Sequence, residues 1–135
     1  MNKKLAYLRF CYWLGAILDL ITAVFYFFPS FVARQFGIDP VVAPVTRFVL
    51  GHAAALMFGW TFLLIWADRD PIKRRGVLLL TVFPVIVGLL LSGIYLTCTG
   101  TVPLSRMIGS FVWQTALMIV FGSAYMVGGH LEREA

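Results

Sequence analysis

The chain has 135 residues, of which 61% are hydrophobic and only 13% are charged, and its formal net charge is +5. Soluble domains are about 45–50% apolar and about 25% charged, so this composition excludes an ordinary water-soluble fold. Because the basic residues flank long apolar runs, they indicate membrane topology, and we expect no nucleic-acid partner.

Four apolar runs are each long enough to cross a bilayer, because about 20 mostly apolar residues span its hydrocarbon core. The runs place spans near residues 6–28, 46–67, 76–98 and 105–128. We expect residues 1–135 to form a single all-α membrane domain. The short connections predict a four-transmembrane-helix bundle of up-down-up-down topology.

The first span carries Asp19 near its centre, within the stretch CYWLGAILDLITAVFYFF. An ionised carboxyl is costly in hydrocarbon, so an acid inside a span is by default a candidate functional residue. Residues three and four apart share a helix face. The face through Asp19 also carries Tyr12, Gly15, Thr22 and Tyr26. We expect this helix to stay uncleaved, because its apolar run is too long for a signal peptide.

The connection after the first span contains a short helix near residues 30–36, SFVARQF. Ser30 can cap its start, Gly37 can end it, and Asp39-Pro40 can turn the chain. We expect an interfacial helix on the outer membrane surface. It would cover the helix ends or act as a lid over the bundle interior.

The other three spans each carry polar residues on one face, and Pro84 is expected to kink span three. These faces should turn inward, because lipid cannot satisfy their hydrogen-bonding groups. The polar residues are His52 on span two, Ser92 and Tyr95 on span three, and Ser110 and Gln114 on span four.

The basic residues are unequally shared between the two sides of the membrane. Positively charged loops stay in the cytoplasm, so both termini and the middle loop DRDPIKRR are predicted to be cytoplasmic (N-in/C-in). Eight basic residues lie on that side (Lys3, Lys4, Arg9, Arg69, Lys73, Arg74, Arg75, Arg133) and three on the other (Arg34, Arg47, Arg106).

This orientation predicts a polar cluster in the outer half of the bundle, because helices rise about 1.5 Å per residue. The predicted partner of Asp19 is His52 first and Gln114 second, with Ser92 at a similar depth. Tyr26, Tyr95 and Ser110 would complete the cluster toward the outer surface. Arg47 and Arg106 would form a basic mouth above it, or serve as ordinary interfacial anchors. Alternatively, the Asp19 contact is an interhelical hydrogen bond that fixes helix register.

Metal and haem chemistry fit the sequence poorly. The two histidines, His52 and His130, lie at different predicted depths, so we expect no bis-histidine haem. Two histidines with distant cysteines make no zinc set. The chain has no phosphate loop, nucleophile elbow or paired carboxylate motif.

The run LGAILDLITAVFYFFPSFVARQFGIDP, followed by an arginine and a Gly-rich second helix, resembles the small DoxX-like membrane proteins. In that family, span one ends in Phe-Pro and a short outer helix leads toward a Gly-Leu or Gly-Ile turn. The resemblance covers roughly the first half of the chain and the four-span layout. It implies a four-helix bundle; some members are accessory subunits of quinone-linked oxidoreductases. No catalytic motif of the family carries over to numbered positions.

Three functions are compatible with these residues. The one we expect is a non-catalytic accessory subunit, or a binder of a lipophilic molecule such as a quinone, sterol or lipid, since such pockets are apolar with few polar groups. A small proton-coupled transporter or channel would use Asp19, although small multidrug transporters are shorter and usually carry Glu there. A membrane enzyme would use Asp19 and His52 as an acid–base pair.

The expected partners are membrane lipids and other membrane subunits. We expect an integral protein of a bacterial or archaeal cytoplasmic membrane. A bound quinone or lipid is the expected cofactor class, and no metal is expected.

Overall fold

The computed structural model describes residues 3–36 and 44–134. In this part of the chain every regular element is helical, and there is no strand. A kinked segment, Thr81–Ile86, joins α4 to α5. The helices are α1 Lys3–Tyr26, α2 Pro29–Phe36, α3 Pro44–Ala67, α4 Gly76–Leu80, α5 Val87–Cys98 and α6 Leu104–Glu134.

Four stretches of helix are long and apolar enough to cross a membrane: Lys3–Tyr26, Pro44–Ala67, Gly76–Cys98 and Leu104–Arg133. A span needs about 20 residues at the helical rise, and each stretch reaches that length. The prediction of an all-helical chain with four span-length apolar helices is therefore confirmed, as expected of an integral membrane protein.

Prolines set the ends of three helices. The helix α1 ends at Tyr26, earlier than the predicted residue 28, because Pro29 disfavours helical backbone at the residue before it. Both α2 and α3 begin at a proline, Pro29 and Pro44, whose missing N–H would have no partner in the first helical turn. Ser30 consequently lies inside α2 instead of capping it. The predicted turn at Gly37 and Asp39-Pro40 lies outside the described residues.

The helix α6 continues to Glu134, beyond the predicted end at residue 128. Two tertiary contacts hold this C-terminal extension in place. Leu131 is only 7% exposed, and the Glu132 carboxylate forms an ion pair with Arg75. Sequence periodicity could not show either contact.

The third span is interrupted at Pro84, which confirms the predicted kink. Phe83 has extended backbone, with φ −129° and ψ 113°, inside this kinked segment. A residue before proline is pushed out of the helical region by the proline ring. The Phe83–Pro84 peptide bond is cis.

Backbone contacts divide the chain into two compact units. Unit 1 comprises Met1–Tyr12 and Ala67–Ala135, and unit 2 comprises Trp13–Trp66. The helix α1 therefore contributes its start to unit 1 and its remainder to unit 2. The largest fully buried side chains in unit 1 are Leu8, Cys11, Tyr12, Leu78, Val102 and Phe121.

Within unit 1, α5 and α6 pack closely around Gly93. A Cβ there would lie 2.7 Å from Cε1 of Phe111 and 2.8 Å from Cε of Met107, so only glycine fits without a shift. The turn between the two helices closes on Gly100, which has φ 71°. The Thr101 N–H donates to the Leu96 carbonyl at 3.0 Å, as in a Schellman helix end.

Unit 2 contains the rest of α1 with α2 and α3. Its helices bury small side chains, including Ala16, Ala23 and Ala54. The Phe25 and Phe31 rings stack at 4.8 Å and so fix α2 against the end of α1. Both stacked rings remain partly exposed, Phe25 at 41% and Phe31 at 52%.

Candidate functional site

Asp19 lies near the middle of α1, in unit 2, and is half-buried. Its Oδ2 atom is buried and has no hydrogen-bond partner among the described residues. Thr22, on the same face of the helix, donates its hydroxyl hydrogen to the Leu18 carbonyl at 2.8 Å, so that hydrogen is not available to Asp19. Asp19 therefore presents a free acceptor oxygen inside an apolar span.

Gln114 has a similar unsatisfied oxygen in unit 1. Its Nε2 donates to Ser110 Oγ at 3.4 Å, which is long for an N–H···O bond. Its Oε1 is buried without a partner. In the part of the chain that the structure describes, Asp19 Oδ2 and Gln114 Oε1 are the two buried side-chain oxygens that lack a partner. Both residues were singled out from the sequence.

The His52 ring folds back along its own helix. Its Nδ1–H donates to the Phe48 carbonyl at 2.9 Å, and the two rings lie 4.2 Å apart between centroids. The His52 side chain is exposed. Asp19 Oδ2 has no hydrogen-bond partner among the described residues, His52 included. An Asp19–His52 pair stays a prediction.

The remaining predicted site residues are mostly exposed. Tyr26 is half-buried in unit 2, where Arg47 is exposed. In unit 1, Ser92 and Arg106 are exposed, and Tyr95 is 68% exposed. The structure brings Ser110 and Gln114 into contact, whereas the larger cluster and the basic mouth stay predictions. Over residues 3–36 and 44–134, no group of three or more His, Cys, Asp or Glu side chains could hold a metal ion.

Sequence reasoning missed an ion pair in unit 1 whose acid, Asp68, is buried. Arg9 Nε donates to Asp68 Oδ1 at 3.0 Å, and Arg9 Nη2 donates to Asp68 Oδ2 at 2.9 Å. Asp68 is only 7% exposed. This bidentate geometry is the strongest form of an arginine–carboxylate contact. It joins the start of α1 to the DRDPIKRR loop, so Arg9 and Asp68 have an architectural role.

Arg75, the last residue of the DRDPIKRR loop, lies against α6. Arg75 Nη2 is 2.7 Å from Glu132 Oε2, and the guanidinium carbon lies 5.0 Å from the centroid of the Tyr125 ring. Gly128 and Gly129 allow this approach, because a Cβ on Gly128 would lie 3.3 Å from Arg75 Cβ and one on Gly129 would overlap Arg75 Nη1. The Gly-Gly pair was the available sequence signal, since it permits close packing.

Two tyrosines near the start of α1 have hydroxyl groups that bond within unit 1. Tyr12 is fully buried, and its hydroxyl donates to the Pro71 carbonyl at 3.2 Å. The Tyr7 hydroxyl lies 2.8 Å from Ser123 Oγ. Both side chains therefore stabilise unit 1, since buried hydroxyls need partners.

The chain was compared with models of protein families, with curated proteins and with solved structures. None of the three comparisons finds a match. The DoxX-like resemblance stays a prediction, and the residues themselves carry the functional proposal.

Proposed function

We propose that the protein is a non-catalytic membrane protein that uses Asp19 to hold a molecule or a neighbouring subunit supplied from outside the chain. The observation that carries this proposal is the buried Asp19 Oδ2 without a hydrogen-bond partner. More than about 90% of buried polar groups in proteins are bonded. Leaving one unbonded costs about 1–3 kcal/mol, so an external donor at Asp19 offsets this cost.

The chemistry of the free atom narrows the ligand class. An ionised Asp19 accepts a hydrogen bond from a hydroxyl, and a protonated Asp19 donates one to a carbonyl, so the ligand must present one of these groups. Asp19 lies in an apolar span, which selects a lipophilic molecule. A quinol or a sterol supplies the hydroxyl, and a quinone supplies the carbonyl. A partner helix with a Ser, Thr or Tyr hydroxyl would supply the same donor, which is the accessory-subunit version of this proposal.

Further properties belong to this proposal. We infer an up-down-up-down bundle with both termini in the cytoplasm, supported by the eight-to-three distribution of basic residues. The resemblance to DoxX-like proteins supports a role as an accessory subunit. A bacterial or archaeal cytoplasmic membrane is the proposed location.

The test is purification in mild detergent followed by native mass spectrometry of the wild type, Asp19→Asn and Thr22→Val. Thr22→Val is the matched control, because it removes a hydroxyl one turn away that is bonded to its own helix. We expect wild type and Thr22→Val to retain an additional lipophilic mass or partner chain. Asp19→Asn should retain about ten-fold less, the effect of one hydrogen bond to a charged group.

Equal retention by all three proteins, or no additional mass on the wild type, would overturn the proposal. Retention of a small molecule identifies a binder, whereas retention of a protein chain identifies an accessory subunit.

A small proton-coupled transporter is the second candidate, favoured by the same half-buried carboxyl inside a span. Such a transporter needs an acid that can exchange a proton without first breaking a fixed contact. Asp19→Asn should then abolish proton-coupled uptake in proteoliposomes. Wild-type uptake by that variant would eliminate the transporter.

A further inference from the structure

A cavity of about 320 Å³ lies beside the last turns of α6, entirely within unit 1. This volume is at the lower end of the range for small-molecule sites, about 300–1,000 Å³. None of its lining residues belongs to the Asp19 region. The lining residues are Arg75, Tyr125, Met126, Gly129, His130 and Arg133.

Arg75 is held in a fixed position at this cavity. Its guanidinium lies over Tyr125 and bonds to the Glu132 carboxylate at 2.7 Å. Its side chain remains 28% exposed. A guanidinium carries five N–H donors, so Arg75 can bond Glu132 and a second anion together. Ordering the side chain in advance also lowers the entropy that binding would otherwise lose.

The cavity has an excess of positive charge. Arg133 contributes a second guanidinium and His130 an imidazole, and both side chains are exposed. Glu132 carries one negative charge, but its carboxylate is already paired with Arg75. Two arginines against one glutamate leave the site attractive to an anion, and arginine matches the geometry of a phosphate group.

The other wall of the cavity is apolar. Met126 is 62% exposed and lies about one helical turn before Gly129 and His130. The candidate span ends at Arg133, so the basic residues lie where α6 leaves its apolar stretch. A charged end beside an apolar wall fits an amphiphile better than a free ion, because the acyl chain can cover Met126.

We propose that this cavity binds the phosphate headgroup of an anionic phospholipid. Arg75 and Arg133 contact the headgroup phosphate, His130 borders it, and Met126 contacts the start of an acyl chain. This is a defined lipid site, in contrast to the diffuse attraction that any basic loop exerts on an anionic membrane surface.

The test is titration of the delipidated protein in neutral detergent with dioleoylphosphatidylglycerol, dioleoylphosphatidylcholine or inorganic phosphate, followed by the melting temperature. We expect saturable stabilisation by phosphatidylglycerol alone. Arg133→Gln should weaken that affinity about ten-fold, the loss of one charge-assisted hydrogen bond to the phosphate. Lys73→Gln is the control, because it removes the same charge from an 82% exposed side chain outside the cavity.

Three outcomes would overturn the site. Equal effects of the two lipids would show no recognition of charge, and saturation by inorganic phosphate at the same concentration would indicate a soluble ligand. Equal losses in Arg133→Gln and Lys73→Gln would indicate diffuse attraction. The site is independent of the proposed function, so Asp19→Asn should bind phosphatidylglycerol as the wild type does.

Discussion

Asp68 and Asp19 differ in whether the fold provides a hydrogen-bond partner for the carboxyl group. Asp68, in unit 1, is 7% exposed, and both of its carboxylate oxygens accept hydrogen bonds from Arg9. Asp19, in unit 2, is half-buried in the middle of α1, and its Oδ2 atom has no partner in the described chain. One acid has its partner built into the fold, whereas the other does not.

This difference in partners indicates different roles for the two aspartates. Where the fold requires a buried charge, the chain supplies a bidentate partner 59 residues away in sequence. An acid placed in an apolar span without such a partner gives the fold no hydrogen bond in return for its desolvation. We therefore assign Asp68 to the stability of unit 1 and Asp19 to contact with something outside the chain.

The largest expected effect comes from removing the buried acid of the ion pair. Asp68→Ala should lower the free energy of unfolding by about 3 kcal/mol, because two hydrogen bonds to a charged group are lost at about 1.5 kcal/mol each. The measurement is unfolding in mixed micelles with increasing SDS. Asp70→Ala, in the same loop, is the control: its 3.6 Å contact with Lys73 is exposed, so its loss should cost at most about 0.5 kcal/mol. Equal losses would remove Asp68 from the architecture.

A smaller effect is expected from displacing Arg75, the arginine that pairs with Glu132. Gly129→Ala places a methyl group where Arg75 Nη1 lies, so the guanidinium must move away from Glu132. Nη1 is the end of a flexible side chain and can move, so we expect a loss of about 1 kcal/mol, that of a partly exposed ion pair. Gly122→Ala on the same helix has nothing within 4 Å of its new Cβ and should be neutral or slightly stabilising. Tolerance of Gly129→Ala would show that Arg75 is not fixed against α6.

A third comparison concerns hydroxyl groups. Tyr12→Phe removes a donor from a fully buried site and leaves the Pro71 carbonyl without that bond, so a loss of about 1 kcal/mol is expected. Tyr95→Phe, at a residue 68% exposed, should leave the free energy of unfolding unchanged. Both values can be measured in the same SDS titration. A stable Tyr12→Phe protein would place Tyr12 among the simple packing residues.

The sequence predicted the ends of the helices accurately where charged residues flank them. The charged loop DRDPIKRR separates the second and third spans, so their predicted edges at Ala67 and Gly76 match the structure. The end of α1 and the starts of α2 and α3 differ from the predicted residues because of prolines. Proline favours the first helical turn, which explains the two starts, and it disfavours helical backbone at the residue before it, which explains the end of α1. The extension of α6 depends on the ion pair between Arg75 and Glu132. These two residues are far apart in the sequence, so local sequence patterns could not predict their contact.

The candidate site was predictable only in part. An acid in an apolar run identifies Asp19 from composition alone, because charge in a span is costly. Whether its oxygens find partners depends on side-chain rotamers and on contacts between distant residues. His52 illustrates the point, since its ring bonds to the Phe48 carbonyl four residues earlier. Helix periodicity places a residue on a face but does not choose its hydrogen-bond partner.

The most direct test compares the free energies of unfolding of Asp19→Asn and Asp68→Asn, both in delipidated protein stripped of bound molecules. Both substitutions keep the side-chain shape and remove one negative charge. We predict that Asp68→Asn loses about 1.5 kcal/mol or more, the contribution of hydrogen bonds to a charged group, while Asp19→Asn stays within about 0.5 kcal/mol of wild type or is stabilised. Similar losses in the two variants would show that Asp19 has a partner within the chain, and would contradict the assignment of Asp19 to an external ligand or subunit.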